Sequence, residues 1–277
     1  MTGPPPSVKP SRSIYARKMH EFDEVAFIDD TAFQNHGRWE DYLKKRIGPG
    51  FDGQVIFEVG CFDAAYLCQI AANHPRTGFI GLDWKCKAIY DGAKRITEMG
   101  LRNIVLLRGR AQNVRQVFAE KEVDAIWVFH PDPCDRPVEL KNRLLAEPFL
   151  VDAHSVLRGS ASTLTLKTDH AGYYRWVLSL FNLSEPESFG DLAKQSHLID
   201  LGRQWPMPGH SKAILQRFTV HAHSADYWND IKALAATSDH YFAGQMTLFE
   251  NRFIRKKLPI HFFQMAKREL NDCARPV

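Results

Sequence analysis

The sequence lacks a long hydrophobic run, and no stretch of its 277 residues approaches the roughly 20 apolar residues that a membrane helix needs. Its start, Met1-Thr-Gly-Pro-Pro-Pro, lacks the apolar segment of a secretory signal, so we expect a cytoplasmic protein. Cysteine is scarce, and the five cysteines include no C-x-x-C pair, which favours reduced thiols over a disulfide framework or a zinc site. We therefore expect no metal centre and no membrane partner.

A surplus of charge of one sign is nearly missing as well, because 36 basic residues face 32 acidic ones. The formal net charge of +4 permits an anionic partner but is far below that of a protein that lives on DNA. We expect a disordered basic tail at 1–14, either a solvated leader or an arm that contacts RNA, followed by a single domain at 15–277. A monomer and a homodimer both remain open.

Short β-rich runs alternate with stretches of helical periodicity along the chain. The runs are Gln54–Val59, Gly78–Leu82, Asn103–Leu107, Val123–Phe129 and Ser160–Leu166, and the helical stretches between and after them are Ala64–Asn73, Lys85–Met99, Gln112–Glu120, Leu140–Leu157 and Tyr173–Leu180. Apolar strands that are each followed by a crossover helix predict a doubly wound α/β fold with a mostly parallel sheet. Further strands are predicted at Ala213–Val220 and Pro259–Gln264, and further helices at Trp39–Ile47 and Asp226–Ala235.

The ends of the first two strands carry acids beside a glycine. In a doubly wound sheet the ligand binds at the carboxyl ends of the strands. Gly60, directly after the first strand and two residues after Glu58, lets the backbone approach a ligand closely, and Asp83 closes the second strand where it can accept both hydroxyls of a ribose. This layout indicates a nucleoside-cofactor pocket; helix-cap or loop acids are the alternative interpretation of Glu58 and Asp83.

The fourth strand ends in a more specific element, His130-Pro131-Asp132-Pro133. Two prolines around one acid restrict the backbone and remove two donors, so Asp132 is expected in a stiff turn at the sheet edge, where it could meet a ligand or simply form the turn. The fifth strand brings a third acid, Asp169, to the same edge.

Seven short motifs occur in an order that resembles the bacterial tRNA (guanine-N7)-methyltransferase family, TrmB. They are Glu58-Val-Gly60, Gly81-Leu-Asp83, Asn103-Ile-Val-Leu-Leu-Arg108-Gly109, Pro131-Asp132-Pro133, Arg143-Leu-Leu-x-x-Pro-Phe-Leu150, Thr168-Asp169-x-x-x-Tyr173 and Thr247-Leu-Phe249-Glu250. The resemblance covers about residues 54–183 and 247–264. It implies a class I S-adenosylmethionine-dependent methyltransferase with a seven-stranded, Rossmann-like sheet.

The resemblance also implies roles for residues. Positions that match cofactor-binding residues of the family are Glu58, Gly60, Asp83 and Thr247, and Arg110 stands where the family has an acid that contacts adenine. Asp132, Asp169 and Glu250, with Thr247, would form the site for guanine and the methionine end of the cofactor. Arg136, Lys141 and Arg143 would face RNA phosphates, and one of Tyr173 and Tyr174 would stack on a base while the other packs in the core. Guanine N7 carries a free lone pair, so its methylation needs positioning rather than a base.

The chain departs from the family pattern at several points. Phe62, Asp63, Ala64 and Ala65 stand where the family has further glycines, and Cys134 replaces a tryptophan. Acids and apolar residues thin the basic run after Pro133, and about 184–246 is predicted to be an insertion. Three functions remain open: methyl transfer to guanine in tRNA, transfer to a small purine-like heterocycle, or a catalytically silent homologue that binds RNA or a protein.

Overall fold

A computed structural model of the chain describes residues 12–134, 136–186, 189 and 208–270. It divides into two compact units. Unit 1 comprises residues up to 127 and 155–158, and unit 2 comprises 128–154 and the residues from 159 onward. Most of the predicted tail, residues 1–11, and part of the predicted insertion, residues 187–188 and 190–207, lie outside the described residues.

In the described part of the chain, eight strands form the sheet. They are β1 (Ala26–Phe27), β2 (Val55–Val59), β3 (Gly78–Asp83), β4 (Ile104–Arg108), β5 (Ala125–Phe129), β6 (Thr163–Thr168), β7 (Phe218–Ser224) and β8 (His261–Lys267). Their order is β1-β4-β3-β2-β5-β6-β8-β7. The predicted doubly wound, mostly parallel sheet is confirmed. The predicted number of seven strands was one too low, because β1 pairs with β4 through only two residues, too few to show a periodicity.

Ten α-helices accompany the strands within the described residues. They are α1 (Ile14–Lys18), α2 (Trp39–Ile47), α3 (Ala65–Asn73), α4 (Cys86–Glu98), α5 (Val114–Val117), α6 (Glu147–Val156), α7 (Ala171–Leu180), α8 (Lys212–Arg217), α9 (Ile231–Ala236) and α10 (Leu248–Arg255). None of them is long and apolar enough to cross a membrane. The strand predicted at Ala213–Val220 was wrong in its first half, because Ser211 caps α8 by accepting a hydrogen bond from the Ile214 amide.

Unit 1 contains the parallel strands β1, β4, β3 and β2, and the register places Glu58 opposite Gly81 and Asp83 opposite Arg108. The strand residues are buried almost throughout, as expected of a parallel sheet. Trp39, at the start of α2, is fully buried, and its indole nitrogen donates a hydrogen bond of 2.8 Å to the Val117 carbonyl.

Unit 2 contains the antiparallel pairs β6–β8 and β7–β8, and the register places Thr168 opposite His261. Its core includes many polar side chains. Those buried on β6 and β8 are Thr163, Thr165, Lys167, Thr168, His261, Gln264 and Lys267. Among the described residues of the whole chain, no group of three or more His, Cys, Asp or Glu side chains could hold a metal ion.

Candidate functional site

The strand ends of unit 1 place the predicted cofactor residues side by side. Glu58 and Asp83 are both buried, and they lie on neighbouring parallel strands at the carboxyl end of the sheet. Gly60 follows β2 directly, and its amide donates a hydrogen bond of 2.7 Å to the carbonyl of Leu82. The sheet therefore brings Glu58, Gly60 and Asp83 together as the sequence predicted.

The loop between β2 and α3 keeps a backbone that glycine would favour. Gly60 has φ +82°, and a β-carbon there would find nothing within 4 Å, so the space next to this residue is open. Phe62 and Ala64 also have positive φ angles, of 51° and 53°. Phe62 and Ala64, which stand where the family has glycines, therefore keep the left-handed backbone conformation. The conformational cost is about 1–2 kcal/mol for each of these L-residues. The Phe62 ring is half exposed and does not enter the core.

Asp83 organises this loop. Its Oδ2 accepts a hydrogen bond of 3.2 Å from the Phe62 amide, and its Oδ1 accepts one of 2.8 Å from the Lys85 amide. Each carboxylate oxygen offers more than one acceptor position, so these bonds fix the carboxylate and still leave capacity for ribose hydroxyls. The loop-acid role and the ligand role that the sequence left open are therefore compatible.

Two neighbouring features complete the edge of unit 1. Arg110, after β4, is exposed, while Arg108 is partly buried and forms an ion pair with Asp29. Asp63 is bonded to Arg95 of α4 at 3.1 Å, so its carboxylate ties the loop to this helix. A guanidinium at position 110 thus lies at the surface of this edge, where the family has an acid.

Buried thiols support the same loop. A β-carbon on Gly81 would stand 2.8 Å from Cys61 Sγ, so β3 needs a glycine opposite the loop. Cys61, Cys68 and Cys86 are all buried. Burial raises the pKa of the Cys61 thiol well above its ordinary value and that of Cys68 to about 12, so both thiols are uncharged.

In unit 2, Asp132 lies in the predicted stiff turn. Its side chain is exposed, and its Oδ1 accepts a hydrogen bond of 3.2 Å from the Cys134 amide. The residues on both sides of the turn, His130 and Cys134, have positive φ angles of 51° and 47°. The turn thus holds one carboxylate oxygen in place while the group faces solvent, so the turn-forming role is observed and the ligand role stays a prediction.

Asp169 is paired with a histidine that the sequence did not single out. Its Oδ1 lies 3.2 Å from His130 Nδ1, and the two side chains are 13% and 7% exposed. Burial acts to raise the pKa of Asp169, but the hydrogen bond with His130 and its charge outweigh burial and hold that pKa below the ordinary value. His130 directly precedes the Pro-Asp-Pro turn, a position from which it could have been noticed.

Glu250 and Thr247 occupy the start of α10. Thr247 Oγ1 accepts from the Glu250 amide at 3.0 Å and Glu250 Oε2 accepts from the Thr247 amide at 2.6 Å, which is a capping box. Glu250 Oε1 lies 3.0 Å from Lys167 Nζ and accepts a hydrogen bond of 3.1 Å from the Trp228 indole. Both oxygens of Glu250 are thus engaged by the protein, so in this structure the carboxylate holds α10 rather than facing a ligand.

The Lys167–Glu250 pair is completely buried and enclosed by aromatic rings. Rings within 4.9 to 5.2 Å of Lys167 Nζ belong to Phe129, Tyr227, Trp228 and Phe242. Burial acts to raise the pKa of Glu250, but the charges of Lys167 and His130 and the hydrogen bond from the Thr247 amide keep that pKa below the ordinary value. Glu250 is therefore ionised. No motif of the sequence pointed to Lys167.

Two of the three basic residues expected to face RNA phosphates are engaged by the protein. Arg143 is buried, donates a hydrogen bond of 3.1 Å to the Pro133 carbonyl and lies 4.5 Å from the Trp176 ring centre. Arg136 is exposed but pairs with Glu139. Lys141 is exposed, as expected. The sequence could not show that Arg143 would pack against the ring of Trp176 on α7.

The tyrosine expected to stack on a base is not available for that role, because both Tyr173 and Tyr174 are buried. Tyr173 is fully buried, and its hydroxyl accepts a hydrogen bond of 3.0 Å from the Leu145 amide. Tyr174 is buried too, and its ring stacks on that of His261 at 5.1 Å. Both side chains therefore pack in the core, Tyr173 against the segment at Leu145 and Tyr174 against His261 of β8.

A cationic surface on α10 and the residues after it was not predicted as part of the site. Its exposed members are Leu248, Phe249, Arg252, Arg255, Lys256 and Lys257, and we call this set the α10 surface. Arg252 lies 6.0 Å from the Phe249 ring centre. In the described part of the chain, no ion pair within 4.0 Å involves the four cations. These charges are therefore available to an anionic partner.

Comparison with known proteins gives one family match. The family described as "Putative methyltransferase" matches residues 52–204. A tRNA (guanine-N(7)-)-methyltransferase from Christiangramia forsetii is 31% identical over 155 residues, which are 56% of this chain and 66% of that protein. One from Cytophaga hutchinsonii is 35% identical over 134 residues, 48% of this chain and 58% of that protein. The chain thus spans less than two thirds of the length of these curated relatives.

Among solved structures, a 16S rRNA methyltransferase, KamB, is similar at 15% sequence identity. The similarity covers 83% of this chain and 93% of that one, with a TM-score of 0.49.

Proposed function

The chain belongs to the methyltransferase family that matches its residues 52–204, and from this membership we propose that it transfers a methyl group from S-adenosylmethionine to N7 of guanine in tRNA. The relatives near 30% identity that carry the name tRNA (guanine-N(7)-)-methyltransferase support this acceptor. Because the chain spans only part of their length, both the activity and the acceptor are proposals for this protein.

The observation that carries the proposal is the carboxyl edge of unit 1. Gly60 leaves open space where a side chain would stand, and the Asp83 carboxylate beside it is held in place by two backbone amides. These features fit a nucleoside cofactor: the loop backbone can approach it closely, and Asp83 can accept hydrogen bonds from the two ribose hydroxyls. Glu58, one strand away, is positioned to orient the same ligand.

The reaction places modest demands on the protein. S-adenosylmethionine supplies a methyl group on a positively charged sulfur, which is already a good leaving group. Guanine N7 offers a lone pair and needs no deprotonation, so the protein contributes by holding the two reactants in line. We assign Asp132, an exposed carboxylate on a stiff turn, to accept a hydrogen bond from the Watson–Crick edge of guanine. Thr247 and Glu250 act by fixing the start of α10.

The α10 surface supports an RNA acceptor. Its cations Arg252, Arg255, Lys256 and Lys257 are exposed and make no ion pair in the described part of the chain, so they can neutralise phosphates. Phe249 adds an exposed ring on which a base can stack. Under this proposal, the α10 surface takes over the contribution that Arg136 and Arg143 were expected to make.

A second acceptor is favoured by one observation. The buried Arg143 and the Arg136–Glu139 pair leave little positive charge after the Pro-Asp-Pro turn, where the family resemblance implied phosphate contacts. A small purine-like heterocycle would not need those contacts. It remains our second candidate, with the same cofactor and the same role for Asp132.

The first experiment is a calorimetric titration of the protein with S-adenosylmethionine and S-adenosylhomocysteine. We expect micromolar binding that is lost in Asp83→Ala and kept in Asp91→Ala, a matched control on the exposed face of α4. Absence of binding by the unaltered protein would contradict the cofactor proposal and favour a silent homologue.

The second experiment measures transfer of labelled methyl groups to unmodified tRNA and locates the product by nuclease digestion and mass spectrometry. We expect 7-methylguanosine, with Asp132→Ala slowing turnover while cofactor binding stays intact. Transfer to free purines but not to tRNA would select the second acceptor, and normal turnover by Asp132→Ala would remove Asp132 from the site.

A further inference from the structure

Phe62 in unit 1 presents an exposed aromatic ring on a loop that is otherwise well anchored. Its neighbours Cys61 and Ala64 are buried, and the carbonyl and the carboxylate of Asp63 both accept hydrogen bonds from Arg95. The Phe62 ring is nevertheless 50% exposed. Because the backbone is fixed on both sides, the direction of the loop itself places this ring in solvent.

The backbone at Phe62 is also strained. Its φ of 51° is a left-handed conformation that glycine adopts freely and phenylalanine adopts at a cost. A phenylalanine at this position is thus unfavourable twice, for its backbone and for the apolar surface that it exposes. Strained residues cluster where a side chain serves a ligand. The strain at Phe62 therefore points to a ligand contact of its ring.

The ring lies beside the carboxylate that is assigned to the ribose of the cofactor. The Phe62 amide donates a hydrogen bond of 3.2 Å to Asp83 Oδ2. The centre of the Phe62 ring is 6.0 Å from Nζ of Lys85, whose amide donates to Asp83 Oδ1. The exposed ring of Trp84 has its centre 5.7 Å from the same Nζ atom. All four residues belong to unit 1, so a nucleoside bound to Asp83 lies within reach of the Phe62 ring.

The chemistry of S-adenosylmethionine determines which of its parts this ring can contact. The ribose is bonded to Asp83 in the proposed function, and the methionine end carries charged groups that lose hydration against an apolar ring. The Lys85 ammonium next to the Phe62 ring also repels the sulfonium. The adenine base is flat, aromatic and uncharged, and it is attached to the ribose carbon next to the 2′-hydroxyl group. Adenine is therefore the part that fits the ring.

We infer that Phe62 is a cofactor-binding residue whose ring stacks on the adenine of S-adenosylmethionine, at a position where the family has a glycine. This inference rests on the proposed function and adds a contact to it. It also fixes the sign of the effect. A ring that obstructs the loop would weaken cofactor binding, whereas a ring that covers the base removes apolar surface of both partners from water and strengthens binding.

The test uses the two residues with positive φ in this loop as a matched pair. Phe62→Gly and Ala64→Gly each introduce a glycine and relieve a left-handed backbone, but only the first removes an exposed ring. Phe62→Tyr keeps the ring and is the conservative variant. Thermal unfolding checks that all three variants are folded, and we expect no destabilisation in Phe62→Gly because the ring lies outside the core.

Binding is measured by calorimetry, so the test does not depend on turnover. The ligands are S-adenosylhomocysteine and 5′-methylthioadenosine, which keeps the adenosine and lacks the amino acid. We expect Phe62→Gly to weaken the binding of both ligands by a similar factor, roughly 10- to 100-fold, while Ala64→Gly and Phe62→Tyr stay within about twofold of the unaltered protein.

Three results would overturn this inference and leave the cofactor proposal in place. They are unchanged or tighter binding by Phe62→Gly, an equal loss in Ala64→Gly, and a loss that affects S-adenosylhomocysteine but not 5′-methylthioadenosine. The last of these would place the ring at the methionine end of the cofactor. No binding of either ligand by the unaltered protein and by Phe62→Gly would overturn the proposed function and this inference with it.

Discussion

The two units of the chain keep their polar groups in different places. In unit 1 the buried strands are almost entirely apolar, and the acids stand at or next to the strand ends, as Glu58 and Asp83 do. In unit 2 a charged pair, Lys167 and Glu250, lies deep in the structure, and His261 is fully buried on β8. The first arrangement keeps the charged groups at the edge of an apolar sheet, whereas the second places charged groups inside the core.

This difference has an energetic consequence. An apolar parallel sheet is stabilised by the area that it removes from water, and it loses stability when its packing is disturbed. A buried ion pair contributes little net stability, but it becomes very costly when one partner is removed, because the other charge stays buried. We therefore expect unit 1 to be sensitive to shape and unit 2 to be sensitive to charge.

The strongest test of that contrast is Lys167→Met. The substitution leaves the Glu250 carboxylate without its cation among four aromatic rings, and we expect it to lower the free energy of unfolding by about 3–5 kcal/mol in urea titrations. Adding Glu250→Gln should recover part of the loss. The matched control is Lys87→Met on α4 of unit 1, whose partner Asp91 is exposed and where we expect little change. Equal losses of unfolding free energy in Lys167→Met and Lys87→Met would contradict the expected difference between the two units.

Lowering the pH should destabilise unit 2 through its buried histidine, His261. Burial lowers the pKa of His261 to about 4, compared with 6.5 in an unfolded chain. The unfolded chain therefore takes up the proton first, so the stabilisation is complete above pH 6.5 and is lost as the pH falls toward 4, by about 3 kcal/mol in all. Unfolding measured across this range should show the same slope in the unaltered protein and in His221→Phe, an exposed control, and a smaller slope in His261→Phe. Part of the slope stays there because burial also lowers the pKa values of His154, His223 and His240.

In unit 1 the corresponding weakness is steric. Gly81→Ala would place a methyl group 2.8 Å from Cys61 Sγ and 2.9 Å from a methyl carbon of Leu106, so we expect a loss of about 1–3 kcal/mol. Gly50→Ala is the control, because its nearest neighbour would be an Arg76 side-chain carbon at 3.9 Å. The loss should not depend on pH between 5 and 8. A pH-dependent loss would mean that charge matters in unit 1 as well.

The smallest expected effect is a gain in stability. Ala64→Gly relieves a positive φ of 53° in the loop after β2, and the greater entropy of glycine in the unfolded chain offsets part of the relief. We expect the melting temperature to rise slightly, by an amount that corresponds to at most about 1 kcal/mol, with cofactor affinity unchanged. A lower affinity would show that the alanine methyl group contributes to the site.

The strands at the centre of the sheet could be predicted from the sequence to within three residues at each end, because their signal is local. Runs such as Val55–Val59, which is apolar apart from Glu58, are followed by a glycine or end at an acid. For the same reason the sequence located Glu58, Gly60 and Asp83, whose positions follow from where β2 and β3 end. Element β1, with two residues, and helix α10, with its short amphipathic pattern, offered too little periodicity.

The residues that the sequence missed, or to which it gave another role, depend on partners far away in the chain. His130 contacts Asp169, Lys167 pairs with Glu250, and Arg143 packs on the Trp176 ring. A basic residue in a basic run suggests a phosphate contact until an aromatic ring from another element is known to cover it. Such pairings result from tertiary packing, and no spacing along a single sequence encodes them.

The reactivity of the buried thiols of unit 1 can be used to measure local opening of this unit. Cys61 and Cys68 are uncharged and shielded, so neither alkylating reagents nor peroxides can react with them until the loop after β2 or helix α3 opens. In a variant with Cys134 and Cys273 replaced by serine, the rate of labelling would then measure how often this unit opens. Protection of the same thiols by S-adenosylhomocysteine would report ligand binding without any enzymatic assay.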